Sequence, residues 1–170
     1  IKSYPNILPL IVCIFLINIA ANSVQSTWSY YTMEKFSWDE RMVGLSLGFV
    51  GTLLMIVQAG LIRVAIPKLG LQKAILTGLI LYVIAYSLFG FASASWMMYA
   101  ISIFFVSSGI AGPALQSYIS NHIPQNEQGQ IQGGITSVIS LTSIIGPLLM
   151  TSLFSYFSKK EVHPYFPGAP

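Results

Sequence analysis

The stretch AILTGLILYVIAYSLFGFASASWMMYAISIFFVSSGIAGPALQSYISNHIPQN, residues 74–126, contains no Asp, Glu, Lys or Arg. A bilayer core asks for roughly 20 apolar residues per helix. A charge-free run of this length is therefore two spans joined by a tight turn, and Ser93-Ala94-Ser95 near its middle supplies the turn. Working outward, residues 3–33, 42–62 and 128–158 are also free of charge, and each is long enough to cross once. The expected fold is all-α, a polytopic transmembrane helical bundle whose partner on most faces is the lipid bilayer.

Composition agrees. Hydrophobic residues make up 54% of the chain and charged residues 8%, with a mean hydropathy of +0.70. A soluble domain carries about 25% charged residues. The net charge of +3 thus belongs to loops against headgroups, and no nucleic-acid partner is expected. Cys13 is the only cysteine, which excludes an internal disulfide and a multi-thiolate centre. His122 and His163 sit in separate loops without ligand spacing, so no metal and no cofactor is expected. No nucleophile with a base, no carboxylate pair and no phosphate-cradling loop is present, which argues against an enzyme. The chain opens at Ile1 and closes on Gly168-Ala169-Pro170, as a piece cut from a longer protein would, and it shows no signal-peptide pattern.

Punctuation residues place the spans at about 7–31, 38–66, 73–92, 96–121 and 129–158, with a loop over 159–170. Pro9 fits a first helical turn. Ser37-Trp38-Asp39-Glu40 has the Ser-x-x-Glu form of a capping box and is expected to start the second span. Pro67 is expected to end that span. Gly112-Pro113 and Gly146-Pro147 fall inside the fourth and fifth spans, where a kink is expected.

Lys and Arg do not decide orientation. Lys2, Arg63, Lys68 and Lys73 lie on one side, and Lys35, Arg41, Lys159 and Lys160 on the other. Trp28, Trp38 and Trp96 fall on the second side with Tyr30, Tyr31 and Tyr99, as an aromatic belt would, and Lys2 is favoured inside. Gly44, Gly48 and Gly51 share one face of the second span and read as a packing seam. Thr136, Ser140, Ser143 and Pro147 form a similar stripe on the fifth.

Amides inside the spans are the candidate functional groups. Asn18, Asn22, Gln25 and Ser29 step by four, three and four residues and share a face. Phe105, Gly109, Gly112 and Gln116 do the same on the fourth span, and Gln58 stands alone on the second. Amides are costly against lipid, so these faces look into protein or water. Interhelical hydrogen bonding is the competing explanation for each, and most of all for Gln58. No Asp, Glu, Lys or Arg lies near the middle of any span, and Arg63 is close enough to an end to snorkel.

Residues 25–40 (QSTWSYYTMEKFSWDE), 58–70 (QAGLIRVAIPKLG), 109–137 (GIAGPALQSYISNHIPQNEQGQIQGGITS) and 143–157 (SIIGPLLMTSLFSYF) resemble the carboxyl-terminal half of a major facilitator superfamily transporter of the tetracycline-resistance, multidrug proton-antiporter type. The likeness covers essentially the whole chain. It implies that the five spans correspond to helices seven to eleven of twelve, with helix twelve beyond Pro170 and the amino-terminal bundle of the same protein as partner. It also implies that Lys2, residues 63–73 and residues 122–128 face the cytoplasm, so that 159–170 is extracytoplasmic, in a bacterial inner membrane. In this family helices one, four, seven and ten line the cavity, which implies substrate contact for Asn18, Asn22, Gln25 and Gln116, with Gln58 as a further candidate. Residues 63–73 resemble the family's basic loop without its acid, and the second and third spans lack the ionisable residues expected of tetracycline-specific members.

The expected function is proton-coupled efflux of a drug or small amphipathic compound. A proton-coupled importer of a sugar or metabolite on the same fold, and a non-transporting membrane scaffold or assembly subunit, stay open. The scaffold reading predicts packed amide faces with no cavity.

Overall fold

The computed structural model describes residues 8–159 and 165–170. The expectations placed on Lys2, Lys160, Glu161 and His163 lie outside the described residues, as do Ile7 at the first span's expected start and most of the 159–170 loop.

Helix α1 (Leu8–Phe36) is apolar in its first half and runs past Tyr31, where the sequence suggested an end. Ser37 stops it by taking a left-handed conformation, φ 54°. Its N–H returns to the Met33 carbonyl at 3.0 Å, and the Trp38 N–H to the Thr32 carbonyl at 3.4 Å, so the left-handed residue closes the helix with two backbone bonds. Ser37 is therefore spent closing α1, and the expected capping box does not form. Asp39 caps α2 (Glu40–Ile56) instead, its carboxylate accepting the Met42 N–H at 2.8 Å.

A single π turn, Val57–Leu61, interrupts the second span, with the Ile62 N–H reaching back five residues to the Val57 carbonyl. Helix α3 (Ile62–Leu69) follows and contains Pro67. Proline does not end this helix. Gly70 does, with φ 76°, a conformation glycine adopts without the Cβ penalty. Helix α4 (Leu71–Phe91) leads through a short turn into α5 (Ser95–Ser108). The fourth span is broken at Gly109 and Ile110, four to three residues before Pro113, and resumes as α6 (Ala111–Asn121). The reason is local. Proline lacks the N–H that would bond the carbonyl four residues back, and its ring crowds that carbonyl. Helix α7 (Gln128–Phe157) stays continuous through Pro147.

Among the described residues there is no strand, and five stretches are long and apolar enough to cross a membrane: Leu8–Phe36, Glu40–Leu69, Leu71–Phe91, Ser95–Asn121 and Gln128–Phe157. The chain is an integral membrane protein of helices. It divides into two compact units, Ile1–Trp28 with Gln116–Pro170, and Ser29–Leu115.

In the Ser29–Leu115 unit, Ala74, Ile110 and Ala114 form a small core with Ile62, Ile66 and Ile75 around it. Gly78 allows the closest backbone approach. A Cβ there would lie 2.7 Å from the Ala111 Cβ and 2.9 Å from the Ser108 carbonyl oxygen. At one end of this unit the Tyr31 hydroxyl donates to the Phe89 carbonyl at 2.6 Å. Lys35 donates to the Tyr31 oxygen at 2.9 Å and to the Gly90 carbonyl at 3.3 Å. A cation thus sits on the last carbonyls of α4, where the helix dipole favours it. Trp38 donates its indole N–H to Ser95 at 2.9 Å. Trp28 and Trp38 are buried and Trp96 is 69% exposed, so of the three tryptophans expected in a belt only Trp96 is free to sit in an interface.

In the other unit α7 lies against the first part of α1 at Gly146, and Gln128 donates to the Ser120 carbonyl at 3.3 Å. The glycine seam at Gly44, Gly48 and Gly51 has no atom within 4 Å of where a Cβ would stand. Small residues permit a close approach, but no described helix makes one here, and the described close approaches between helices fall at Gly78 and Gly146.

Gly78→Ala is therefore expected to destabilise the protein by about 1–3 kcal/mol, the usual cost of overpacking. Gly44→Ala, which meets open space in this fold, should stay within about 0.5 kcal/mol. Thermal unfolding midpoints of the two variants in detergent check both.

Candidate functional site

The five amides singled out from the sequence sort into two groups by what their side chains already bond. Asn18 donates to the Ile14 carbonyl at 2.8 Å. Asn22 donates to the Asn18 carbonyl at 2.8 Å and to the Thr142 carbonyl of α7 at 3.2 Å. Ser26 and Thr27 continue the habit, returning their hydroxyls to the carbonyls of Asn22 and Ser23. These short polar side chains reach their own helix four residues back. What they leave is mainly a row of acceptor oxygens, with the second N–H of Asn18 the one donor not used.

Gln25, Gln58 and Gln116 are different. Each is exposed, and none makes a side-chain hydrogen bond with any described residue. Their amides retain two donors and an acceptor apiece. Gln25 lies one turn beyond Asn22 on α1, and Gln116 lies in α6, both in the unit that contains α7. Gln58 belongs to the other unit, in the π turn. No side-chain to side-chain hydrogen bond joins any two of the five amides among the described residues. Phe105, on the expected face of the fourth span, is turned to a cluster with Tyr82, Tyr86 and Phe89, at ring separations of 6.0, 5.8 and 5.8 Å. The Tyr86 hydroxyl is buried in this unit without a partner.

The contact of Asn22 with α7 was not legible in the sequence. Gly146 admits it, because a Cβ at that position would lie 2.7 Å from both Cβ and Cγ of Asn22. The neighbouring Pro147 cannot donate to the Ser143 carbonyl. Asn22 places a donor on the adjacent carbonyl, so the polar side chain of one helix enters the backbone of the next at the proline. The Gly-Pro pair was the available signal, but it carries no mark of its partner. Thr136, Ser140 and Ser143, the polar stripe of α7, are exposed. Thr142, one position off that stripe, is fully buried.

Among the described residues no three His, Cys, Asp or Glu side chains gather as metal ligands. The chemistry on offer is neutral: amide donors and acceptors with aromatic rings.

The family model of the Major Facilitator Superfamily matches residues 5–166. The chain belongs to the Major Facilitator Superfamily. It is 34% identical over 141 residues to the class C tetracycline resistance protein of Escherichia coli, covering 83% of this chain and 36% of that protein. It is 37% identical over 147 residues to the class E tetracycline resistance protein of Escherichia coli, covering 86% and 36%. The Homo sapiens protein named Hippocampus abundant transcript-like protein 1 is 27% identical over 150 residues, covering 87% of this chain and 30% of that protein. This superfamily member thus spans about a third of the length of the curated relatives it matches. No solved structure matches it.

Removing the Asn22 donor in Asn22→Ala is expected to cost about 0.6–1.7 kcal/mol, the measured scale for interhelical hydrogen bonds in membranes. Gly146→Ala should cost more, because the new methyl meets Asn22 Cβ. Asn22→Ala combined with Gly146→Ala should not recover, since that Cβ remains. Recovery in the double variant, read from thermal midpoints, would contradict the packing described.

Proposed function

We propose that the chain is part of a secondary transporter that exports a drug or small amphipathic compound across a bacterial inner membrane in exchange for protons. Family membership supports transport. The relatives named for tetracycline resistance favour export over import. The observation that carries the ligand class is the set of unspent glutamine amides: Gln25 and Gln116 sit on helices with no charge near their centres and offer hydrogen bonds with no partner of their own. Amides and rings suit a neutral or zwitterionic, ring-bearing molecule, because they orient it without fixing a charge. Asn18 and Asn22 act in this reading through their acceptor oxygens and by holding α1, while Gln25 and Gln116 touch cargo.

The proton-titrating group lies elsewhere in the protein. Proton carriers use ionisable groups inside the membrane, and these spans have no carboxylate or imidazole near their middles. The remaining helices of the same protein supply that group, and transport proceeds by rocking of one bundle against the other around a midplane site.

Inverted vesicles containing the full-length protein, given a fluorescent drug panel and an imposed pH gradient, test this. Accumulation should collapse with a protonophore. Gln25→Ala and Gln116→Ala should each raise KM about fivefold, the worth of one hydrogen bond near 1 kcal/mol. Asn22→Ala should lower folded protein more than it alters KM. Gradient-independent accumulation would remove proton coupling, and no accumulation of any drug would turn the assignment toward an importer of another solute.

A further inference from the structure

The second and fourth spans depart from regular helix at the π turn Val57–Leu61 and at the break over Gly109 and Ile110. Both belong to the same unit, and the two irregularities face one another across a cavity. Leu54, Val57 and Gln58 line it from one side, and Val106, Gly109 and Pro113 from the other, around a volume of about 120 Å³. We propose that this cavity is a hydrated binding site for a neutral hydrogen-bonding group, with the Gln58 amide as its polar recognition element.

The argument begins with backbone chemistry. Irregular backbone at membrane depth is tolerated only where protein buries it or where it borders a water-filled cavity. Pro113 has no N–H to give the Gly109 carbonyl, and no other described backbone donor meets that carbonyl. On the facing wall, the Gln58 amide makes no hydrogen bond with any described residue. Gly109 and Gln58, the residues that carry these two groups, both line one space. An amide left unpaired in an apolar medium costs several kcal/mol, so a third party that bonds both lowers the energy of the whole arrangement.

Size and charge then limit that party. One water needs about 10–15 Å³ of such volume and two to four polar partners. A cavity of 120 Å³ holds several waters, or a group of a few heavy atoms. The wall carries no acid, base, thiol or imidazole, so an ion finds no counter-charge there. The occupant is a neutral donor-acceptor group, either a water cluster or the amide or hydroxyl end of a transported molecule. The site also gives the paired irregularities a use. A π turn and a proline break bridged by exchangeable partners let two neighbouring spans bend together without stranding backbone groups. A transported molecule as occupant rests on the transport reading, whereas hydration of the pocket is probed without it.

The test uses the full-length protein, made free of other cysteines with Cys13→Ser, in permeabilised vesicles. Leu54→Cys puts a thiol on the pocket wall while leaving Gln58 intact. A charged, membrane-impermeant methanethiosulfonate reacts only with thiolate in contact with water. Val83→Cys, on an exposed apolar position of α4, is the control. Leu54→Cys should react at least tenfold faster than Val83→Cys with the charged reagent, and adding Gln58→Leu should slow it at least fivefold. An added fluorescent drug cargo that slows labelling marks the transported molecule as the occupant, and labelling that cargo leaves unchanged marks water; both support the site. Leu54→Cys that reacts only with a lipid-soluble maleimide would show the pocket dry and overturn the proposal. So would Gln58→Leu that leaves the rate unchanged. Should Leu54→Cys fail to fold, Val106→Cys on the facing wall carries the same comparison.

Discussion

Within a bilayer core there is no water to take up a backbone N–H or carbonyl that a helix leaves unbonded, and this constraint organises everything irregular in the chain. Pro113 and Pro147 each withdraw a donor well inside a span, and the surroundings of the two differ. At Pro113 the helix opens, and Gly109, whose carbonyl loses its helical donor, lines a cavity together with Gln58. At Pro147 the helix stays closed, and Asn22 brings an amide from another helix to the Thr142 carbonyl beside it. One proline makes a space and the other makes a joint.

The same constraint separates the amides by length. Asparagine is short enough to bond the carbonyl four residues back on its own helix, and Asn18 and Asn22 both do so. Glutamine has one more methylene, and Gln25, Gln58 and Gln116 do not turn their amides back onto their own helices. Gln25, Gln58 and Gln116 accordingly remain unbonded. A stripe that reads as one functional face in sequence thus has a structural part and an available part, and the division follows side-chain reach. This gives Asn22 a holding role and leaves recognition to the glutamines in the proposed transporter.

The number and approximate place of the spans were legible because the lipid requirement writes them directly into composition. Where helices end was less legible, because several residues competed for each role. Ser37 and Asp39 are both good caps, and the sequence does not say that the left-handed turn closing α1 takes the serine. Pro67 looked like a stop, yet in the last turn of α3 its missing donor costs one hydrogen bond, and Gly70 ends the helix by conformation. The π turn has no residue pattern of its own. The glycine seam on α2 was read from spacing, but spacing shows only that a face can be approached. Which face is approached depends on the partner helix, and among the described helices the approach falls at Gly78 and Gly146. The candidate amides were legible as polar groups in apolar helices, and their division into spent and unspent was not.

On the proposed reading, the absence of charge from the middles of these spans is itself part of how the protein works. A buried ionisable group changes its solvation with every conformational step, so a bundle that carries one has motions tied to pH and voltage. A bundle lined by amides and rings has no such term, and its rocking is governed by packing and by what fills its polar faces. Coupling to the proton gradient can then be concentrated in another part of the protein, while this part answers to cargo.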